Sequence, residues 1–121
     1  MRPAIFITAL GLATAAAAPA LAHHGWLWAE QEEFQLTGVV REARLGNPHG
    51  LLQVESDGVV WTVEVGQPWR NERAGLTDDM LAPGTELTAS GHRSADPDRK
   101  LMKAERIEIG GERYDLYPDR D

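Results

Sequence analysis

Residues 51–65, LLQVESDGVVWTVEV, have the pattern of a β-hairpin. Apolar side chains alternate with polar ones on both sides of Asp57-Gly58, and this period of two is typical of a half-buried strand. The Asp-Gly pair tolerates the positive φ angles of a two-residue hairpin turn. The apolar positions are Leu52, Val54, Val59, Trp61, Val63 and Val65. The segment therefore predicts two antiparallel strands with one face toward a core.

The preceding segment, residues 34–45, predicts a long strand whose apolar phase slips. Phe34 and Leu36 share one face, whereas Val39, Ala43 and Leu45 share the other. Gly38 lies at the slip, which predicts a β-bulge there that bends the strand so that it serves two sheets. Residues 46–50, Gly-Asn-Pro-His-Gly, are dense in turn formers and predict the loop that follows.

After the hairpin the apolar period changes. Residues 69–74 and 77–81 predict one or two short helices, and Pro83-Gly84 ends them. Strands are then predicted from Leu87, over residues 101–109 and over residues 113–117. This order predicts an all-β fold, a small five- to six-stranded OB-fold-like Greek-key barrel with a short helical insert after the third strand. A small sandwich or an SH3-like barrel has a similar strand list, but the helical insert favours the OB-fold.

The N-terminus has the pattern of a secretory signal peptide over residues 1–22. A basic start is followed by an apolar run too short to span a bilayer, and Ala20-Leu21-Ala22 fits signal peptidase. We therefore expect export to the periplasm or medium of a bacterium, with no membrane span after cleavage. The predicted organisation is a signal peptide at 1–22, an N-terminal arm at 23–33 and a barrel domain at 34–121.

The charge balance argues against nucleic acid as a partner. The chain has 12 basic and 19 acidic residues and a net charge of −7, and loss of Arg2 with the signal makes it more negative. Such a surface repels a phosphate backbone and favours a cationic partner or a metal ion. The chain contains no cysteine, so disulfides and lipid attachment through a cysteine are excluded. The oligomeric state is not set by the sequence.

Cleavage before His23 would create a metal-binding group that the precursor lacks. The free α-amine and the imidazole Nδ1 of His23 together form a six-membered chelate that suits copper(II), then other transition metals. The candidate further ligands are His24, His49 and His92. His49 lies in the predicted loop after the first strand and His92 at the entrance to the loop after the fourth, and we expect both loops at one barrel mouth. Alternatively, all four histidines have structural roles, as loop caps or as part of a solvated arm.

Two tryptophans of the arm offer a ligand platform. Trp26 and Trp28 alternate, so in an extended arm they face the same way, toward a sugar or a partner. The other interpretation is that they pin the arm to the barrel. No combination of nucleophile, base and orienting group is apparent, which favours a non-enzymatic role. The sequence thus predicts a small exported binding protein, with copper as the candidate cofactor. The alternative is an OB-fold module that binds a protein or small ligand without metal.

The sequence resembles an uncharacterised family of small exported bacterial proteins classed as a domain of unknown function. The resemblance covers the whole mature chain, and its most specific parts are the His23-His24 start and Asn47-Pro48-His49. Further matching segments are residues 36–40, 74–77, 81–84 and 90–92. Gly25 and Gly46 depart from the family pattern, which often has serine after the two histidines and an aromatic residue before Asn-Pro-His. The resemblance implies export and a compact β-barrel, and it implies no activity.

Overall fold

A computed structural model describes residues 27–120, which form six strands, one short α-helix and two 3-10 turns. The elements are β1 (Phe34–Arg44), β2 (Leu51–Ser56), β3 (Val59–Glu64), α1 (Pro68–Ala74), a 3-10 turn (Asp78–Leu81), β4 (Glu86–Arg93), β5 (Leu101–Ile109), β6 (Glu112–Asp115) and a second 3-10 turn (Pro118–Arg120). The strand order is β3-β2-β1-β4-β5-β6, and parallel pairing of β3 with β5 closes the first five strands into a barrel. The predicted OB-fold-like barrel, with a helix after the third strand, is confirmed.

The β2–β3 hairpin forms as its alternation predicts. Asp57 and Gly58 have φ angles of 49° and 77°, the positive values that a tight turn between twisted strands requires. Strand pairing runs from Leu51↔Glu64 to Ser56↔Val59. Among the six apolar positions Val59 alone is exposed, because it adjoins the turn, and the others belong to the core. The core of buried apolar side chains consists of Leu36, Val40, Leu52, Val54, Trp61, Val63, Val65, Leu76, Leu81, Leu87, Ala89, Met102, Ala104, Ile107 and Leu116.

Strand β1 pairs with two neighbours within one six-stranded sheet, so the prediction that it serves two sheets is wrong, and its bulge also lies elsewhere. Its first half pairs with β4 and its second half with β2, with Val39 in both ladders. The register shifts between Val40 and Glu42, so Arg41 is the extra residue and the prediction of a bulge at Gly38 is wrong. Gly38 is instead required by close packing, since a Cβ atom there would lie 2.3 Å from the carbonyl oxygen of Glu55.

The part of the arm that the structure describes is hydrogen-bonded to the barrel. The amide of Glu30 donates to the carbonyl of Arg93, and the amide of Ala95 donates to the carbonyl of Trp28. Residues 27–33 are therefore anchored where β4 ends. The predicted signal peptide and the predicted features at His23, His24 and Trp26 lie outside the described residues. Within residues 27–120, no helix combines the length and apolarity needed to span a bilayer.

Candidate functional site

A row of charged side chains crosses three neighbouring strands on the outer face of the barrel. Glu64 on β3 is in register with Lys103 on β5, and Lys103 is in register with His92 on β4. The residues before the first two, Val63 and Met102, are fully buried in the core, so alternation directs the row to the outside. Adjacent strands lie about 4.8 Å apart, and the row therefore spans roughly 10 Å between its outer Cα atoms.

Lys103, at the centre of this row, is almost completely buried despite its outward direction. Its exposed fraction is 1 %, and its ammonium group lies 5.7 Å from the ring centre of Tyr117. Burial lowers the pKa of Lys103, and the Glu64 carboxylate opposes this shift. Burial also raises the pKa of the Tyr117 phenol. The segment after β6 thus covers the row and removes it from solvent.

His49 lies at the Glu64 end of the row. Its Nε2 is 3.6 Å from Glu64 Oε1, and its Nδ1 is buried without a hydrogen-bond partner among residues 27–120. Burial lowers the pKa of His49; the positive charges of Lys103 and Arg70 lower it further, against the raising effect of Glu64. The ring is therefore held neutral at neutral pH, the form in which imidazole binds metal ions.

His92 lies at the opposite end and has both ring nitrogens engaged. Nδ1 is 2.9 Å from the carbonyl oxygen of Glu32, and Nε2 is 2.7 Å from Glu105 Oε1. Both ring nitrogens therefore contact oxygen atoms of the protein, and a metal ion could reach either nitrogen only by displacing one of these contacts.

Glu105, the partner of His92, is placed by a β-bulge in β5. Gly91 pairs with Ala104 and Ser90 pairs with Arg106, which leaves Glu105 as the extra residue. Its carboxylate is only 4 % exposed and also accepts a hydrogen bond from Arg120 Nε at 3.2 Å. One buried carboxylate thus joins β4 to the C-terminal 3-10 turn.

A cleft of about 420 Å³ lies beside His92 and Glu105. The arm contributes Glu33 to it, and the C-terminal turn contributes Arg120. Arg106 forms an ion pair with Glu33, and Arg120 forms one with Glu105. Its arginines are therefore neutralised by the protein's own carboxylates.

The prediction that His49 and His92 lie at one barrel mouth is wrong. The start of β1 pairs with the end of β4 at Phe34↔Gly91, so the β4–β5 loop adjoins the start of β1. The loop that carries His49 follows the other end of β1. His92 is also the penultimate residue of β4 rather than a loop residue. His49 lies beside the Glu64 end of the charged row, and His92 forms its other end, with Lys103 between them.

The remaining predicted site residues are placed as follows. Trp28 is half-buried in the anchored arm, and its partner in the predicted platform, Trp26, lies outside the described residues. Within residues 27–120, no three His, Cys, Asp or Glu side chains are grouped so that they could hold a metal ion. His23 and His24 lie outside that range, so the four-histidine metal site stays a prediction.

A family model of unknown function matches residues 11–103. This chain belongs to that family, DUF6152. The predicted resemblance to an uncharacterised family is thereby confirmed. No curated protein matches the DUF6152 chain.

Two solved structures show the same fold at low sequence identity. The first is a TiaS mutant lacking its ZRD in complex with agmatine, at 15% identity and a TM-score of 0.52 over 70% of this chain and 26% of that one. The second is the Stn1-Ten1 complex of S. pombe, at 15% identity and a TM-score of 0.52 over 64% of this chain and 57% of that one. The DUF6152 chain thus spans about a quarter of the first relative and somewhat over half of the second. At this identity the likeness shows the fold alone.

Proposed function

We propose that this DUF6152 protein is an exported, non-enzymatic binding protein that holds a transition-metal ion, and that it prefers copper. The ligands are the amine and imidazole of His23 and the Nδ1 nitrogen of His49. The observation that carries the proposal concerns the two nitrogens of the His49 ring. Nε2 lies near the Glu64 carboxylate, and the buried Nδ1 has no hydrogen-bond partner among residues 27–120.

The surroundings of His49 suit a metal ligand. In metal sites, the second ring nitrogen of a ligating histidine is commonly oriented by a carboxylate, the role that Glu64 would fill. The lowered pKa of His49 favours the neutral ring that a metal ion needs. Amine and imidazole nitrogens suit copper, nickel and zinc, and divalent affinity is greatest for copper.

The hydrogen bonds of His92 favour His49 over it as the partner of His23. A metal ion at His92 would have to displace either the Glu32 carbonyl or the Glu105 carboxylate. Loss of the His92 contact would remove one hydrogen-bond partner from the nearly buried Glu105 carboxylate, which would keep Arg120 and Arg106. A hydrogen bond to a charged group is typically worth about 1.5–3 kcal/mol. His24, next to His23 in sequence, would be able to supply a further nitrogen ligand.

The proposed site requires a rearrangement of the loop that carries His49. The Nδ1 atom is screened from solvent, so residues 46–50 must shift for an ion to reach it. The arm is anchored at Trp28, and the five residue steps from His23 to that point can span at most roughly 17 Å when extended. We therefore expect copper binding to change the amide signals of residues 46–50.

The test is a copper titration of a protein that begins at His23, compared with one that has a single glycine before it. The extra residue separates the amine from the imidazole and destroys the six-membered chelate. We expect the extended form to bind copper at least about tenfold more weakly, equivalent to about 1.4 kcal/mol. Equal affinities would overturn the proposal.

Two matched variants then identify the loop histidine. His49→Ala and His92→Gln each remove one imidazole from the protein that begins at His23. We expect weaker copper binding by about tenfold or more for His49→Ala and unchanged binding for His92→Gln. Thermal unfolding of both variants checks that each is folded at the titration temperature. Loss of affinity in the His92 variant alone would contradict the assignment to His49.

A further inference from the structure

A second cleft, of about 400 Å³, lies at the end of the barrel where β1 and β3 begin. Two aromatic rings line it, Phe34 and Trp61, whose centres are 5.0 Å apart and whose planes are tilted by 34°. Leu36 and Val59 extend this apolar part, and Lys100 lines the cleft at the start of β5. The cleft is separate from the charged row and from the His49 loop.

Two cations lie over the aromatic rings. The Arg93 guanidinium is 5.0 Å from the Trp61 ring centre and 5.4 Å from that of Phe34. The Lys100 ammonium is 5.3 Å from the Trp61 ring centre. All three distances fall within the range of cation–π attraction, which holds Lys100 at the lining of the cleft and Arg93 beside its two aromatic rings.

Neither cation is neutralised by a carboxylate of residues 27–120. The Arg93 side chain donates a long hydrogen bond of 3.5 Å to the carbonyl of Pro97, and the Lys100 ammonium contacts the Trp61 ring. This is unusual for a chain in which 19 acidic residues outnumber 12 basic ones. In the first cleft, by contrast, Arg106 and Arg120 are both paired with glutamates.

We propose that this cleft binds a small organic monoanion, a carboxylate attached to a flat apolar group. The carboxylate lies near Lys100 and Arg93, and the apolar body lies against Leu36, Val59 and the aromatic pair. The volume is within the range of small-molecule sites. Cations already held in position by the rings lose little freedom when an anion binds, which favours affinity.

The charges around the cleft favour a single negative charge on the ligand. Asp57, at the turn of the β2–β3 hairpin, also lines the cleft and repels a polyanion. The net charge of −7 acts in the same direction. The Thr37 and Ser56 hydroxyls also line the cleft, but they are already engaged: Thr37 Oγ1 is hydrogen-bonded to Thr88 Oγ1, and Ser56 Oγ donates to the Thr37 carbonyl.

The test titrates the protein that begins at His23 with 2-naphthoate and, as the uncharged control, with 2-naphthamide. Binding is monitored through the NMR shifts of the backbone amides and the tryptophan indoles. A metal chelator is present throughout, so that failure here is independent of the copper proposal. We expect 2-naphthoate to shift the signals of Phe34, Trp61 and Lys100, and to bind at least about fivefold more tightly than the amide. Equal affinities, or shifts confined to other regions, would overturn the proposal.

Lys100→Gln and Arg73→Gln form a matched pair of variants. Each removes one exposed positive charge, but Arg73 lies on α1, which follows the end of β3 and contributes no residue to the cleft. The backbone bond from Thr62 to the Lys100 carbonyl does not depend on the side chain, so the barrel closure is kept. We expect Lys100→Gln to weaken 2-naphthoate binding at least about fivefold and Arg73→Gln to leave it unchanged. The same affinity in both variants would contradict the proposed site.

Discussion

His49 combines burial with a positively charged neighbourhood. Lys103 and Arg70 both oppose its protonation, and Glu64 does not fully compensate for the loss of hydration. The folded protein therefore binds a proton at this ring less readily than the unfolded chain does. A group whose folded pKa is depressed makes stability fall as the pH drops below its unfolded pKa, here 6.5.

We predict that His49→Gln flattens the dependence of stability on pH. Between about pH 7.5 and 5.5, the free energy of unfolding of the wild type should decrease more steeply than that of the variant, because glutamine takes up no proton. Urea unfolding at several pH values measures both slopes. The other three histidines are present in both proteins, so the difference between the slopes isolates His49. Parallel slopes would show that its pKa is not depressed.

At the level of the strand pair, Gly91 sets how closely β4 approaches β5. A Cβ atom there would lie 2.0 Å from the carbonyl oxygen of Lys103 and 3.0 Å from the amide nitrogen of Glu105. Both of these atoms belong to the backbone at the β5 bulge, where no side-chain rotation can relieve the overlap. The strands would have to separate, and the His92–Glu105 contact would separate with them.

We predict that Gly91→Ala destabilises the protein by about 2 kcal/mol or more, toward the upper part of the range for overpacked sites. Gly46→Ala is the matched control, because a Cβ atom at Gly46 meets no heavy atom within 4 Å. That variant should stay within about 0.5 kcal/mol of the wild type. Chemical denaturation of both variants gives the two values. Similar losses of stability in the two variants would show that the close approach of β4 to β5 at Gly91 does not determine the cost of adding a Cβ atom.

The elements follow local sequence signals closely. β5 coincides with the predicted residues 101–109, and α1 begins one residue earlier than predicted, at Pro68. The bulge was misplaced because the slip in apolar phase was assigned to the only glycine nearby. Gly38 and Val40 both lie on the core face with Leu36, and the phase changes at Arg41. Because Arg41 is polar, the alternation of apolar residues does not indicate that it is the extra residue of the bulge.

The burial of the charged side chains of β5 was not predictable in the same way. Lys103 and Glu105 alternate with Met102 and Ala104, as exposed residues of any barrel strand would. Their burial depends on the segment after β6, whose backbone amides at Leu116 and Tyr117 donate to the Glu105 carbonyl. Such contacts join parts of the chain distant in sequence. The barrel follows from local alternation, whereas its buried polar cluster follows from long-range packing.

For the molecule as a whole, charge decides which partners can approach. With a net charge of −7, the barrel should not bind single-stranded nucleic acid, even though Lys100 and Arg93 form a local positive site. We predict no binding of an oligonucleotide of about 20 residues at physiological salt with a Kd tighter than about 100 µM. Lowering the salt strengthens the binding of basic proteins to nucleic acid, but here it should strengthen repulsion instead. Fluorescence anisotropy of a labelled oligonucleotide at about 20 mM and 150 mM salt measures the binding. A rise in anisotropy at low salt would contradict the prediction, because it would show that the positive site at Lys100 and Arg93 overcomes the overall negative charge.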